Sequence, residues 1–184
     1  CVDKTGTITQ NQMEVQAIRE IEGDNLQLLE PMGMGCETEP YDPMEQAMLR
    51  CCEKHGLTRE TLFRGQLVAE YAFTHERKMM GHVWKREDGL TLAAKGSPEQ
   101  IFRLCGFSPD EEQSAQDEMN RLASAGLRVI AIAVAHPAAE TEIPAALTDC
   151  RLTLLGLVGL ADPPRETISE DIARCRNAGI RVVM

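Results

Sequence analysis

Residues 80–96 read MGHVWKREDGLTLAAKG, two apolar-rich runs joined at Asp88-Gly89. Asp-Gly between such runs is the chemistry of a tight hairpin, because glycine accepts the positive φ that the turn demands. The stretch therefore predicts antiparallel strands over 80–87 and 90–96. Upstream, QLVAEYAFT (66–74) predicts a further strand, and downstream LRVIAIAVAH (127–136) reads as a long, buried, β-branched one. LTLLGLVGLADPPRET (152–167) reads as a strand running into a proline-stiffened turn, and MEVQAIREIEGDNLQLLE (13–30) as a second hairpin about Gly23-Asp24-Asn25.

Helical punctuation fills the intervals. In YDPMEQAMLRCCEKHG (41–56), Asp42 caps, Pro43 takes the first helical position, Glu45 follows three residues after the cap and Gly56 closes. SPDEEQSAQDEMNRLASAG (108–126) repeats the pattern with Ser108, Pro109, Glu111 and Gly126. RETISEDIARCRNAG (165–179) predicts a third helix, and IRVVM (180–184) the start of another strand. Pro31–Tyr41 reads as a loop, and a polar linker covers 136–149. The middle of the chain is thus expected to be an antiparallel sheet with helices, and its two ends to be pieces of an α/β sheet.

Composition excludes several classes. With 184 residues, 43% hydrophobic and 26% charged, the chain suits one core, or a core and a smaller lobe. A net charge of −10 argues against a nucleic-acid or anionic-membrane surface. No run of about 18 apolar residues is present, so no membrane insertion of this segment is expected. The seven cysteines are irregularly spaced and read as reduced, mostly buried thiols in a cytoplasmic setting. Both ends read as mid-strand, which suggests a piece of something larger.

The N-terminus, CVDKTGTITQ (1–10), carries a denser signal. A carboxylate at a strand end, followed by a lysine, a glycine and hydroxyl residues, suits phosphate chemistry: Asp3 attacks phosphorus while N–H groups and an ammonium hold the oxygens. A strand ending in a polar turn uses the same residue types, and these residues alone leave both readings open.

Spaced motifs decide between them. DKTGTIT (3–9) resembles the phosphorylation signature of the P-type ATPases, and KGSPE (95–99) resembles that family's KGAPE element. FTHERKMM (73–80) resembles its adenine-pocket strand, DPMEQAML (42–49) its DPTE-type helix start, and DPPRE (162–166) its return into the phosphorylation domain. They occur in the family's order and cover essentially the whole chain, which is identified as a member of that family. The resemblance implies a nucleotide-binding domain, residues 11–149, inserted into a truncated, doubly wound phosphorylation domain of the haloacid-dehalogenase type, residues 1–10 and 150–184. The fold class so implied is α/β, with an α+β insertion whose antiparallel sheet is flanked by helices.

The resemblance also implies roles. Asp3 matches the aspartate phosphorylated by ATP, with Lys4 and Thr5 holding the phosphoryl group, and Asp3 and Thr5 meeting Mg²⁺. Phe73 matches the residue stacking on adenine, and Lys78 and Lys95 the pocket lysines, with Gly96 admitting a ligand to the backbone. Glu45 matches the acid meeting the adenine amino group, although a capping box asks for the same residue. Arg128 matches an arginine reaching phosphates or ribose, with a surface ion pair as the other reading. Asp162 and Arg165 match the DPPR element near nucleotide and hinge. His75 departs from the arginine of several relatives, which implies modest, pH-dependent ATP affinity.

A TGD loop and a GDGxND loop, which the family also uses, do not occur in this sequence. The chain is accordingly expected to bind ATP but to phosphorylate Asp3 poorly or not at all by itself. The implied setting is the cytoplasmic part of an integral membrane pump, with that pump's actuator and transmembrane domains as partners and a lean towards the calcium type. Two rivals stand beside this. A haloacid-dehalogenase-like phosphatase is disfavoured by Thr5, where that class typically has a second aspartate, and a non-catalytic nucleotide-binding or interaction domain is the other.

Overall fold

The computed structural model describes residues 1–20 and 27–184. Six strands form one antiparallel sheet: β1 (Glu14–Glu20), β2 (Gln66–Tyr71), β3 (Met79–Arg86), β4 (Gly89–Gly96), β5 (Arg128–Ala135) and β6 (Thr153–Ala161). Their spatial order is β1-β6-β5-β4-β3-β2. The hairpin read at 80–96 forms β3 and β4, interior to the sheet, with Met79 opposite Gly96 and Arg86 opposite Gly89. The two turn residues are Glu87 and Asp88, and Gly89 supplies the positive φ, +126°, as the first residue of β4.

Alternation along these strands divides the apolar residues between two cores. On one face Val83, Leu92, Ala94, Ala131, Ala133 and Leu157 pack under α4 (Pro98–Leu104) and α5 (Pro109–Ser124). On the other, Ile132, Val158 and Leu160 pack under α1 (Leu29–Met34) and α2 (Pro43–Lys54). Leu28, Leu49, Leu157 and Leu160 are at most 1% exposed, each contributing about 1.5–3 kcal/mol of transfer free energy. The short α3 (Arg59–Leu62) inserts Leu62 into the second core, and α6 (Ile168–Asn177) follows the sheet.

The helix caps agree with the sequence. Ser108 and Glu111 form the full capping box of α5, the Glu111 carboxylate accepting from Ser108 N–H at 2.7 Å. That contact, with the Ser108 hydroxyl, holds Glu111 below the ordinary carboxylate range. Gly56, Gly126 and Gly179 stand just past α2, α5 and α6 at positive φ.

Four expectations are corrected. The turn of the second hairpin, Gly23-Asp24-Asn25, lies outside the described residues, but its expected returning arm is not a strand: Gln27 and Leu28 form a turn and α1 begins at Leu29. Leu28, Leu29 and Met32 are buried together at helical spacing, and that packing outweighs the imperfect alternation. β1 instead pairs with β6, Glu14 opposite Ala161 and Glu20 opposite Gly156. The expected loop 31–41 is likewise helical as far as Met34. The run QLVAEYAFT leaves the sheet after Tyr71, so Phe73 sits in a loop. IRVVM forms no strand; its one backbone bond to the other end of the chain is Val2 N–H to Val183 O, 2.9 Å.

The ends also depart from the α/β order expected of them. β6 is antiparallel to both its neighbours, β1 and β5. It lies beyond residue 150, yet it is interior to the sheet.

Candidate functional site

The site is assembled from the start of α2 outward. Asp42 Oδ1 accepts from the N–H groups of Met44 (2.7 Å) and Glu45 (3.2 Å), and Pro43 fills the first helical position. Glu45 is thereby fixed in the first helical turn, where the exposed N–H dipoles favour a carboxylate. Its side chain does not complete a capping box. It turns to the sheet and binds Lys95 Nζ in a short ion pair, and Glu45 and Lys95 are only 6% and 5% exposed.

Lys95 stands opposite Met80 on one side and Ile132 on the other, and its ammonium also lies 3.0 Å from Met80 Sδ. A charge withdrawn from water in this way persists only with a partner, and Glu45 is that partner. Cys36 is close enough to feel both charges; burial pushes its thiol up to about 11, with Lys95 opposing, so it stays neutral.

Gly96 lies directly beyond Lys95. A Cβ there would sit 2.5 Å from Met79 Cβ and 2.6 Å from Lys78 O, so no side chain fits without moving β3. Lys78 itself adopts φ +51°, a left-handed conformation costly to a residue with a Cβ. Backbone bonds hold it there, Lys78 N–H to Thr74 O and Ser97 N–H to Lys78 O, both 2.8 Å. The loop thus pinned carries Phe73, 51% exposed, and His75, whose ring meets Phe73 edge-on with centroids 5.8 Å apart. Arg128, exposed at the start of β5, reaches Met44 Sδ at 3.5 Å and so touches the residue beside Glu45.

A second group gathers where the chain ends meet. Lys4–Ile8 coil into a wide turn closed by Thr9 N–H to Lys4 O, 3.0 Å. Asp162 receives Thr9 Oγ1–H at 2.5 Å and Gln12 N–H at 3.0 Å. Arg165 donates to Gly6 O at 2.9 Å, and Gln10 N–H to Pro163 O at 2.9 Å. The signature segment and DPPRE are therefore in direct contact. Asp3, Lys4 and Thr5 are exposed, and Asp3 Oδ1 accepts from Lys4 N–H at 2.8 Å.

The expected residues thus fall into two groups: Glu45, Phe73, His75, Lys78, Lys95, Gly96 and Arg128 around the ends of β3 and β4, and Asp3, Lys4, Thr5, Asp162 and Arg165 at the junction. Met80 and Met44 were missed. Met80 shares a face with Lys95 only once the register of β3 and β4 is known, whereas Met44 carries no signal beyond its place next to Glu45. Thr9, which clasps Asp162 across the junction, was inside the signature but had no role there. Two concavities of about 660 Å³ lie elsewhere, one near Cys105, His136 and Arg151, the other between Arg19 and Arg121. Neither is lined by an expected residue; exposed Phe73 and the buried ion pair mark the candidate site instead.

The sheet, covered by helices on both faces, carries an acid–lysine pair at the end of one hairpin and an exposed aromatic loop, and a family sequence model matches most of this chain. Residues 40–167 match the P-type ATPase cytoplasmic domain N, and the chain belongs to this family of cation pumps. It is 31% identical to calcium-transporting ATPase 1 of Lactococcus lactis, over all of this chain and 24% of that protein. It is 28% identical to a calcium-transporting ATPase of Bacillus subtilis, over all of this chain and 26% of that one. An endoplasmic reticulum calcium ATPase of Aspergillus fumigatus is 34% identical over 64% of this chain and 14% of its own length. The chain thus spans about a quarter of the first two relatives. Among the described residues no helix is long and apolar enough to cross a membrane.

Proposed function

We propose that this chain is the ATP-binding part of a P-type cation-transporting ATPase, a cytoplasmic segment of a membrane pump that is phosphorylated on Asp3. The carrying observation is the buried Glu45–Lys95 pair beside Gly96, Lys78 and exposed Phe73. Phe73, half-exposed, would offer its ring to adenine, a contact of roughly 1–3 kcal/mol by analogy with base stacking. Glu45 gives one carboxylate oxygen to Lys95 and keeps acceptor capacity for an exocyclic amine. Lys78, Lys95 and Arg128 supply cationic character for phosphates, and His75 supplies less than an arginine would.

In the parent enzyme Asp3 Oδ attacks the γ-phosphorus. An O–P bond forms, the bond to the ADP oxygen breaks, and ADP departs. Lys4 steadies the phosphoryl oxygens. Asp3 and Thr5, one carboxylate and one hydroxyl, would help to hold Mg²⁺ together with phosphate oxygens, a hard-oxygen donor set that suits this ion. Bound there, it would supply charge neutralisation.

The contact of Arg165 with Gly6 and of Asp162 with Thr9 supports a phosphorylation-domain role for 1–10 and the segment after the sheet. The proposed division remains 1–10, 11–149 and 150–184, with β6 lent to the inserted sheet. Calcium is the favoured cargo because the relatives above are named for it. The actuator and transmembrane domains of the same pump are the proposed partners.

Titrating the chain with ATP, with and without Mg²⁺, tests the reading through amide shifts. Shifts centred on Phe73, Lys78 and Lys95, saturating near about 1 mM (about −4 kcal/mol), are expected. Silence at several times that concentration would sink the assignment and favour an interaction domain.

A further inference from the structure

Among the described residues, one group of metal-ligating side chains stands apart from the site above. Glu37, Glu70 and His82 each offer a ligand atom within 4.8 Å of the others. Topology brings them together: Glu70 on edge strand β2 is the register partner of His82 on β3, and Glu37 lies just beyond α1. Three separate elements converge on one point.

The tautomer of His82 is legible from its neighbours. Its Nδ1 lies 3.3 Å from Met34 O, and the same oxygen accepts Trp84 Nε1–H at 2.9 Å. A carbonyl oxygen only accepts, so Nδ1 carries the proton and a neutral ring keeps its lone pair on Nε2. His82 is 2% exposed and Nε2 has no hydrogen-bond partner. It faces Glu37 Oε1 at 3.9 Å, within electrostatic reach but beyond a hydrogen bond. A buried lone pair aimed at carboxylates is a poor arrangement unless a cation stands between them.

We propose that Glu37, Glu70 and His82 bind a divalent transition-metal ion of the zinc class. His82 Nε2 is the nitrogen ligand and each glutamate gives one oxygen. An imidazole with two carboxylates suits Zn²⁺ better than Mg²⁺ or Ca²⁺, which prefer oxygen alone. The Met34 carbonyl holding Nδ1–H is the outer partner that orients a metal-bound histidine. Bonds of about 2.0–2.2 Å place tetrahedral ligand atoms roughly 3.4 Å apart. Glu37 is half-buried and Glu70 exposed, so rotation of their side chains closes the remaining gap while His82 stays fixed. The bound ion would clamp the sheet's edge strand to the exit of α1 and stabilise the fold by linkage.

Calorimetric titration of the 184-residue chain with Zn²⁺, paired with thermal unfolding, tests this. About one equivalent should bind and raise the melting temperature. Glu70→Gln and Glu37→Gln should each weaken binding at least about tenfold with the metal-free melting temperature nearly unchanged, and His82→Gln should abolish it. Because the chain holds seven free thiols, Co²⁺ is the spectroscopic probe: a visible band without thiolate charge transfer is expected. A thiolate band, or unaltered Zn²⁺ affinity in both glutamine variants, overturns the proposal. So does a His82 ring that titrates as an imidazolium paired with Glu37 and ignores added Zn²⁺.

Discussion

The pair Glu45–Lys95 and the clasp Thr9–Asp162 each join segments distant in sequence, but they are built differently. Glu45 and Lys95 sit on a helix and a central strand, both nearly sealed from water. Thr9 and Asp162 sit on irregular segments, with Asp162 only half-buried and Arg165 exposed beside it. Secondary structure sets the first contact on both sides, whereas the second relies on a few hydrogen bonds between loops. Precision therefore resides where a base and its phosphates are proposed to bind, and compliance where the two ends of the chain meet.

The difference is testable by breaking each contact. Lys95→Met leaves a buried carboxylate unpaired and should cost about 3–5 kcal/mol in urea denaturation. A loss below about 1 kcal/mol would show that water reaches Glu45. Phe73→Ala should leave stability within about 0.5 kcal/mol, because the ring is exposed. The same variant should weaken ATP by about 1–3 kcal/mol, read as an increase in Kd; unchanged affinity would remove Phe73 from the site. At the clasp, Asp162→Asn should cost about 1–2 kcal/mol, as it weakens two hydrogen bonds to an acceptor. Its thermal shift should leave amide exchange in β3 and β4 untouched.

The smallest effect belongs to a surface pair on the opposite face of the sheet. Glu118 accepts from Arg121 at 2.6 Å and lies near Arg19 at 3.2 Å. The Arg121 hydrogen bond, more than Arg19, holds its carboxyl below the ordinary range. A lowered folded value means the contribution is present above about pH 4.3 and fades as pH falls through the folded value. The melting difference between Glu118→Gln and the parent should thus be small at neutral pH and vanish in acid. A difference that instead grows in acid would reverse the assigned sign.

Legibility in the sequence followed the range of the interaction. The hairpin 80–96 was legible because the signal of its turn, Asp88 followed by Gly89 at positive φ, is local, and α5 because Ser108 and Glu111 are three residues apart. The helix at Leu29 was not, since six residues give too little periodicity to compete with apparent alternation. The pairing of β1 with β6 joins segments at opposite ends of the chain, and no turn announces it. Glu45 was legible as a candidate through its motif, but its choice of Lys95 over the helix cap required the register of β4 against α2. Glu37, Glu70 and His82 have no motif spacing at all, because a strand pair and a loop bring them together.

The neighbourhood of β1 and β6 has a mechanical consequence. Glu14 opposes Ala161 at one end of their ladder, and the segments leading away from both residues leave from that same end. A force drawing those segments apart would open the ladder one bond at a time, as a zipper opens, rather than shear all its bonds together. The Thr9–Asp162 clasp and the Gln10–Pro163 bond stand ahead of the first rung and must yield before it. They set the threshold at which strain arriving through the ends would begin to peel β1 from β6.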